Sequence, residues 1–175
     1  MARRTCIALC GPRAAGEAEL AVAEEVGAEL ARRDVDLVCG GLGGAMEAAA
    51  RGHQRARRGA ASPLVIGVLP GEDVSAANVH CDVVIPSGLG VARNVLVVRA
   101  ADALILVSGG AGTLSEAALG WQLGKPLVSL GGSGGWAESL AGSCIDERRS
   151  EPIIDAGDAV EAVSAALDAL GVASP

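Results

Sequence analysis

The chain has 175 residues and a mass of 17.3 kDa, a size that suits one domain burying roughly 70% of the surface its unfolded form exposes. Half of its residues are hydrophobic, yet only two are aromatic, both Trp, beside 25 Gly. The core must therefore be aliphatic, and the rings that stack bases in single-stranded nucleic-acid grooves are missing. Fourteen basic against twenty-one acidic residues give a net charge of −7, which disfavours binding to nucleic acid or to an anionic membrane.

Thirteen of the fourteen basic residues are Arg and only Lys125 is Lys, a skew read here as genome composition rather than as RNA binding. The five cysteines, Cys6, Cys10, Cys39, Cys81 and Cys144, form no CxxC pair, which argues against a disulfide framework and against a zinc site. Most lie in apolar stretches, where a thiol packs as a small hydrophobe. The apolar run after the basic Met1 to Arg4 ends at Pro12, too short for a signal sequence, and no stretch approaches a membrane span. A cytoplasmic protein is expected.

In chain order, strands are expected at Thr5 to Cys10, Val35 to Cys39, Leu64 to Leu69, Asp82 to Ile85, Ala103 to Val107 and Pro126 to Leu130. Helical periodicity lies between them. Val22, Val26 and Leu30 recur at i, i+4 and i+8, with Glu29 and Arg33 at the favourable i,i+4 spacing. At the end of the chain, Val160, Val163, Leu167 and Leu170 follow Asp158, with Glu161 placed for a capping box and Gly171 for a stop. Continuously apolar strands imply burial on both faces, so residues 1–175 read as a single α/β domain, a doubly wound parallel sheet.

Ligands of such sheets sit beyond the carboxyl ends of the strands, and four of those ends are glycine-rich. They are Cys10-Gly11-Pro12, the run Gly40 to Gly44, Ser108-Gly109-Gly110-Ala111-Gly112-Thr113, and the run Gly131 to Gly135. Glycine there permits positive φ and lets backbone N–H groups approach an anion at a helix N-terminus. No Walker loop and no regularly spaced G-x-G-x-x-G is present. The set points to a small phosphorylated ligand.

Thr113 to Glu116 has capping-box spacing, so Glu116 either reaches back to cap a helix or projects a carboxylate beside the anion. Arg93 is either a surface Arg or a charged partner for ligand or carboxylate, and Asn94 bonds ligand or caps. Arg51, Arg55 and Arg58 share a helix face and read as solvated or paired with acidic neighbours. His53 and His80 stand alone, and Trp121 and Trp136 read as packing residues.

The segment Gly109 to Glu116 resembles the PGGxGTxxE signature of the Lonely Guy (LOG) family, long mislabelled as lysine decarboxylases. Arg93 stands nine residues before Asp102, as the Arg of that family's RK motif stands before its own Asp. Gly40 to Met46 is similar to its GGGxxGLMG loop, and Cys10-Gly11 to its opening turn. The resemblance implies a Rossmann-like homodimer or higher homo-oligomer that binds nucleoside 5′-monophosphates, needs no cofactor or metal, and cleaves the N-glycosidic bond to give free base and ribose 5-phosphate. It assigns Arg93 and Glu116 to catalysis. It matches Gly109, Gly110, Gly112 and Thr113 to the phosphate loop and Met46 to the residue near the base. Together with the glycine-rich turns, the candidate phosphate and nucleotide residues are Gly11, Gly40, Gly41, Gly43, Gly44, Met46, Asn94, Gly109, Gly110, Gly112 and Thr113. Ser108 replaces the Pro of the signature and Asn94 its Lys, and the helix that follows is shorter than in plant-type members. In these respects the chain looks like a bacterial branch of nucleotide-binding proteins and like the related molybdenum cofactor carriers, which hold a phosphorylated pterin without hydrolysing it. Lys125, directly before Pro126 at a strand start, offers no pyridoxal phosphate context.

Overall fold

The computed structural model describes residues 3–59 and 62–172. Its elements run β1 (Cys6–Cys10), α1 (Glu17–Arg32), β2 (Asp36–Cys39), α2 (Ala45–Ala56), β3 (Val65–Leu69), β4 (Val83–Pro86), α3 (Asn94–Ala100), β5 (Ala103–Val107), α4 (Ala111–Gln122), β6 (Leu127–Leu130), α5 (Gly135–Leu140), β7 (Ile154–Ala156) and α6 (Ala159–Ala169). Seven parallel strands form one sheet in the order β4-β3-β2-β1-β5-β6-β7. The expected strands are present within one or two residues at each end. The seventh, β7, is three residues long and lies outside the expected set.

The chain winds outward from β1 in one direction to β4 and then returns to add β5 on the other side. The topological switch point therefore lies between the carboxyl ends of β1 and β5, where doubly wound sheets bind their ligands. One face of the sheet packs Ile7, Leu37, Val65 and Ile105 against α1, α2 and α6. The other packs Ala8, Val38, Leu104 and Leu106 against α3, α4 and α5. Burial on both faces explains the apolar runs of β1 and β5. Strand β4 departs from that expectation: it is an edge, and Val83 and Ile85 stay 40% and 42% exposed.

Charge and caps fall where the periodicity placed them. Arg33 Nε donates to Glu29 Oε1 at 2.9 Å. Asp158 caps α6 by accepting from the Glu161 N–H at 2.8 Å, although Glu161 reaches Gly157 rather than the cap residue itself. Arg51 and Arg55 converge on Glu24 of α1, and Arg57 pairs with Asp82. Trp121 is buried, donates to Asp146 and lies under the Arg149 guanidinium, whereas Trp136 is partly exposed.

Helices α1 and α2 touch backbone to backbone, because a Cβ on Gly27 would fall on the carbonyl of Ala49 and one on Gly52 on the carbonyl of Glu24. Neither backbone can yield without separating the helices. Gly52→Ala is expected to cost about 3 kcal/mol, a drop of roughly 6–12 °C in Tm measurable by calorimetry. An unchanged Tm would show that the helix pair adjusts freely.

Candidate functional site

Three of the four glycine-rich ends converge at the switch point. They border a cavity of about 490 Å³ lined by Gly11, Gly40, Met46, Arg93, Asn94, Gly110, Gly112, Thr113 and Glu116, all flagged by the sequence. The cavity also takes Leu42 from within the Gly40 to Gly44 run, and Arg13, Pro70 and Val91, which no local motif marks. Its size falls in the range of small-molecule sites. Apolar side chains dominate its walls.

Two helices begin at the cavity. In α4 the first helical bond runs from the Leu114 N–H to the Gly110 carbonyl at 3.0 Å, which leaves the earlier N–H groups of that turn without helical partners. In α2 the Ala45 N–H goes to the Pro12 carbonyl at 3.0 Å and the first helical bond is Ala48 to Gly44. Both macrodipoles thus present their positive ends to the same space. At Gly110 and Gly112 a Cβ would meet no atom within 4 Å, so the absent side chains leave room for a ligand to reach the backbone.

The remaining flagged glycines serve the loops themselves. Gly41 and Gly44 have φ of +70°, and a Cβ on Gly44 would strike the Arg13 carbonyl. Gly109, at φ +94°, leaves space that Thr113 occupies. A Cβ on Gly43 would meet the Glu47 carboxylate at an ordinary 3.6 Å. The run Gly131 to Gly135 stands aside from the cavity and braces it: Ser133 Oγ accepts from the Ser108 N–H at 2.7 Å, Ala137 N–H donates to the Ser108 carbonyl and Trp136 N–H to that of Gly109, both at 3.0 Å.

Arg93 closes a short helical turn over residues 90–93 and points inward, its side chain only 12% exposed. One Nη2 lies where a Cβ of Gly40 would be, with Met46 Sδ against the same spot. Its Nη1 donates to Asn94 Oδ1 and approaches Glu116 Oε1 at 3.5 Å. Asn94, itself buried, is held in turn by donating to Ser115 Oγ at 2.6 Å. The Arg93 Nε is buried with no partner among the described residues, a donor left over in a site otherwise satisfied.

Glu116 does not cap. Helix α4 starts two residues before Thr113, with Gly110 at its N-cap, so Glu116 sits on the second turn and faces the cavity floor. Burial raises its carboxyl to about 7, against the opposing pull of Arg93 and of a hydrogen bond from the Cys10 thiol. Cys10 lies beneath it at the end of β1, and its own thiol is pushed far up by burial and by the Glu116 charge. Near neutral pH the Glu116 carboxyl therefore exchanges a proton readily.

Ser108 and Asn94 explain their departures from the LOG signature. Ser108 has φ +48°, donates its N–H to Ser133 and its hydroxyl to Glu19. Proline can adopt neither that φ nor that donor role. Ser108→Pro is expected to cost at least ~3 kcal/mol, read as a lowered urea midpoint; a midpoint within error of the unsubstituted chain would contradict the left-handed conformation. At position 94 a Lys would set a second cation against Arg93, where Asn supplies an acceptor.

Other side chains considered in the sequence lie away from the cavity. Lys125 bonds the Ala101 carbonyl at the amino end of the sheet, opposite the cavity. His53 is fully buried, with Nε2 2.9 Å from the Val35 carbonyl. Among the described residues no cluster of three or more His, Cys, Asp or Glu could hold a metal ion, and no helix is long and apolar enough to cross a membrane.

Comparison with known proteins agrees with this architecture. The chain is 39% identical over 124 residues to an uncharacterised protein of Archaeoglobus fulgidus, a match covering 71% of this chain and 78% of that one. It superposes on the molybdenum cofactor carrier protein of Chlamydomonas reinhardtii with a TM-score of 0.82 at 30% identity, covering 97% and 99% of the two chains. It superposes on the molybdenum cofactor binding protein of Rippkaea orientalis with 0.80 at 28%, covering 93% and 94%. The SLOG cluster4 family model spans residues 4–163, which takes in β1 through β7 and the start of α6 and with them every wall of the cavity, so the chain belongs to the SLOG cluster4 family.

Proposed function

We propose that this protein binds and carries a small phosphorylated cofactor of the molybdenum-pterin class. The observation that carries the reading is the cradle: two helix N-termini and the Arg93 guanidinium face one cavity of about 490 Å³, with open backbone at Gly110 and Gly112. The phosphate takes the N–H groups of Ala111 to Thr113 and a charge-assisted bond from Arg93. The ring system lies against Leu42, Met46, Pro70 and Val91. Likeness to the carrier and binding proteins of Chlamydomonas and Rippkaea supports the same ligand class, and so does the Ser108 geometry, which a LOG-type Pro could not adopt.

One observation favours a second reading. Arg93 and Glu116 stand together on the cavity floor, as the catalytic pair of a nucleoside 5′-monophosphate phosphoribohydrolase would. There the Glu116 carboxylate would stabilise the oxocarbenium-like ribosyl centre and activate water as the base leaves, with Arg93 and the phosphate cradle positioning the sugar.

One experiment separates the two. The purified protein is titrated with the pterin cofactor and, separately, incubated with a panel of nucleoside monophosphates while ribose 5-phosphate is assayed. Saturable one-to-one binding of the cofactor, with no ribose 5-phosphate formed, is expected. Repeated turnover of any nucleotide, abolished in Glu116→Gln, would overturn the carrier reading in favour of the hydrolase.

A further inference from the structure

Beside the cavity, and used by neither reading, two cysteines meet. Cys39 ends β2 and leads directly into the Gly40 to Gly44 loop, and its side chain is fully buried. Its register partner on β3 is Gly67. A Cβ at Gly67 would lie 2.7 Å from the Cys81 Sγ and 3.5 Å from the Cys81 Cβ. The Cys81 side chain thus fills the place that Gly67 leaves vacant, one strand spacing of about 4.8 Å from Cys39. The two thiols are thus neighbours on one face of the sheet and interact with each other.

The surrounding backbone holds this pair in register. Asn78 N–H donates to the Gly41 carbonyl at 2.9 Å and its Nδ2 to the Leu42 carbonyl at 3.1 Å. Cys81 N–H returns to the Asn78 carbonyl at 3.3 Å, and Gly41 N–H points at the Cys39 sulfur at 3.4 Å. The segment 78–81 is therefore already strapped to the glycine loop. Exposure is unequal: Cys81 is only partly buried whereas Cys39 is enclosed. The hydrogen bond from Cys39 also lowers the Cys81 thiol and leaves that of Cys39 raised, which makes Cys81 the nucleophile of the two.

We infer that Cys39 and Cys81 are a reversible dithiol–disulfide site, oxidised by a small disulfide, that ties the glycine loop covalently to the segment before β4. The Cys81 thiolate attacks one sulfur of the oxidant, whose S–S bond breaks; a mixed disulfide forms and one small thiolate leaves. Cys39 then attacks the Cys81 sulfur, forming the Cys39–Cys81 bond and expelling the second small thiolate, which takes up the Cys39 proton. Two protein thiols are oxidised and one small disulfide is reduced to two thiols.

The test uses the full chain and oxidised glutathione, followed by alkylation, tryptic digestion without reductant and mass spectrometry. Arg51 and Arg58 lie between the two cysteines, so trypsin separates them unless they are linked. The expected product is a Cys39–Cys81 linked peptide pair, with loss of both alkylation sites and full reversal by dithiothreitol. Cys144, an exposed free thiol, should carry glutathione and reports that the oxidant acted. In Cys39→Ser the reaction should stop at glutathione on Cys81, and in Cys81→Ser Cys39 should stay free. Glutathione on Cys144 with Cys39 and Cys81 both still alkylatable would overturn the inference, as would glutathione retained on Cys81 in the unsubstituted chain.

Discussion

Glu116→Gln is expected to raise stability by ~3 kcal/mol at pH 8 and to leave it unchanged near pH 4. The reason is proton linkage. Burial raises the Glu116 carboxyl from 4.5 to about 7 in the folded chain, so between those values the folded state keeps a proton that the unfolded state has lost. Stability of the unsubstituted chain therefore falls as pH rises through this window and levels off above it. The variant lacks the proton and lacks the slope. Glutamine preserves volume and an acceptor toward Arg93, so it mimics the protonated form rather than leaving a gap. The corresponding rise in Tm at pH 8 is roughly 6–12 °C. Equal urea midpoints for the two proteins at pH 8 would show that Glu116 is not held in a desolvated site, and a loss of stability at every pH would return it to a capping role.

Replacing Arg93 by Met is expected to weaken the binding of the phosphorylated ligand by about 10- to 100-fold, the worth of a charge-assisted hydrogen bond. It should also destabilise the empty protein by ~3 kcal/mol at pH 8, because Glu116 is then buried without its cation. The two effects separate in a double variant. Adding Glu116→Gln removes the stranded charge and should restore most of the stability while leaving the affinity low. Recovery of affinity along with stability would show that Arg93 acts only by pairing with Glu116 and never touches the ligand. Calorimetric titration at pH 8, beside thermal unfolding of each variant, measures both.

Legibility differed by element. The apolar runs of β1, β3 and β5 and the spaced aliphatics of α1 and α6 announce themselves, since burial against a sheet demands them. Strand β7 does not, because Ile154 to Ala156 spans three residues and its pairing with β6 depends on where the preceding chain brings it. The apolar run of β4 suggested two covered faces, yet an edge strand receives less cover and Val83 and Ile85 remain partly exposed.

The site divides in a similar way. Glycine-rich strand ends and the Arg93 and Glu116 positions are local signals, and most of the flagged residues do border one cavity. Which glycines face a ligand is not local. Gly110 and Gly112 open onto the cavity, whereas Gly41, Gly44 and Gly109 yield their space to Gly67, Arg13 and Thr113. Arg13, Pro70 and Val91 carry no motif and join the wall only because β1, β3 and the turn before α3 end close together. The capping-box spacing at Thr113 was met by a helix that begins earlier, which turned Glu116 from a cap into a wall of the site.

By itself, then, the sequence determined the class of fold, an aliphatic doubly wound sheet, and marked the glycine-rich turns on which the proposed anion site rests, because periodicity and glycine act within a few residues. The tertiary structure alone decided the rest. Desolvation, which lifts Glu116, and register, which sets Cys81 beside Cys39, arise from segments distant in the chain, and no local pattern encodes how deeply a side chain will be buried or what will lie against it.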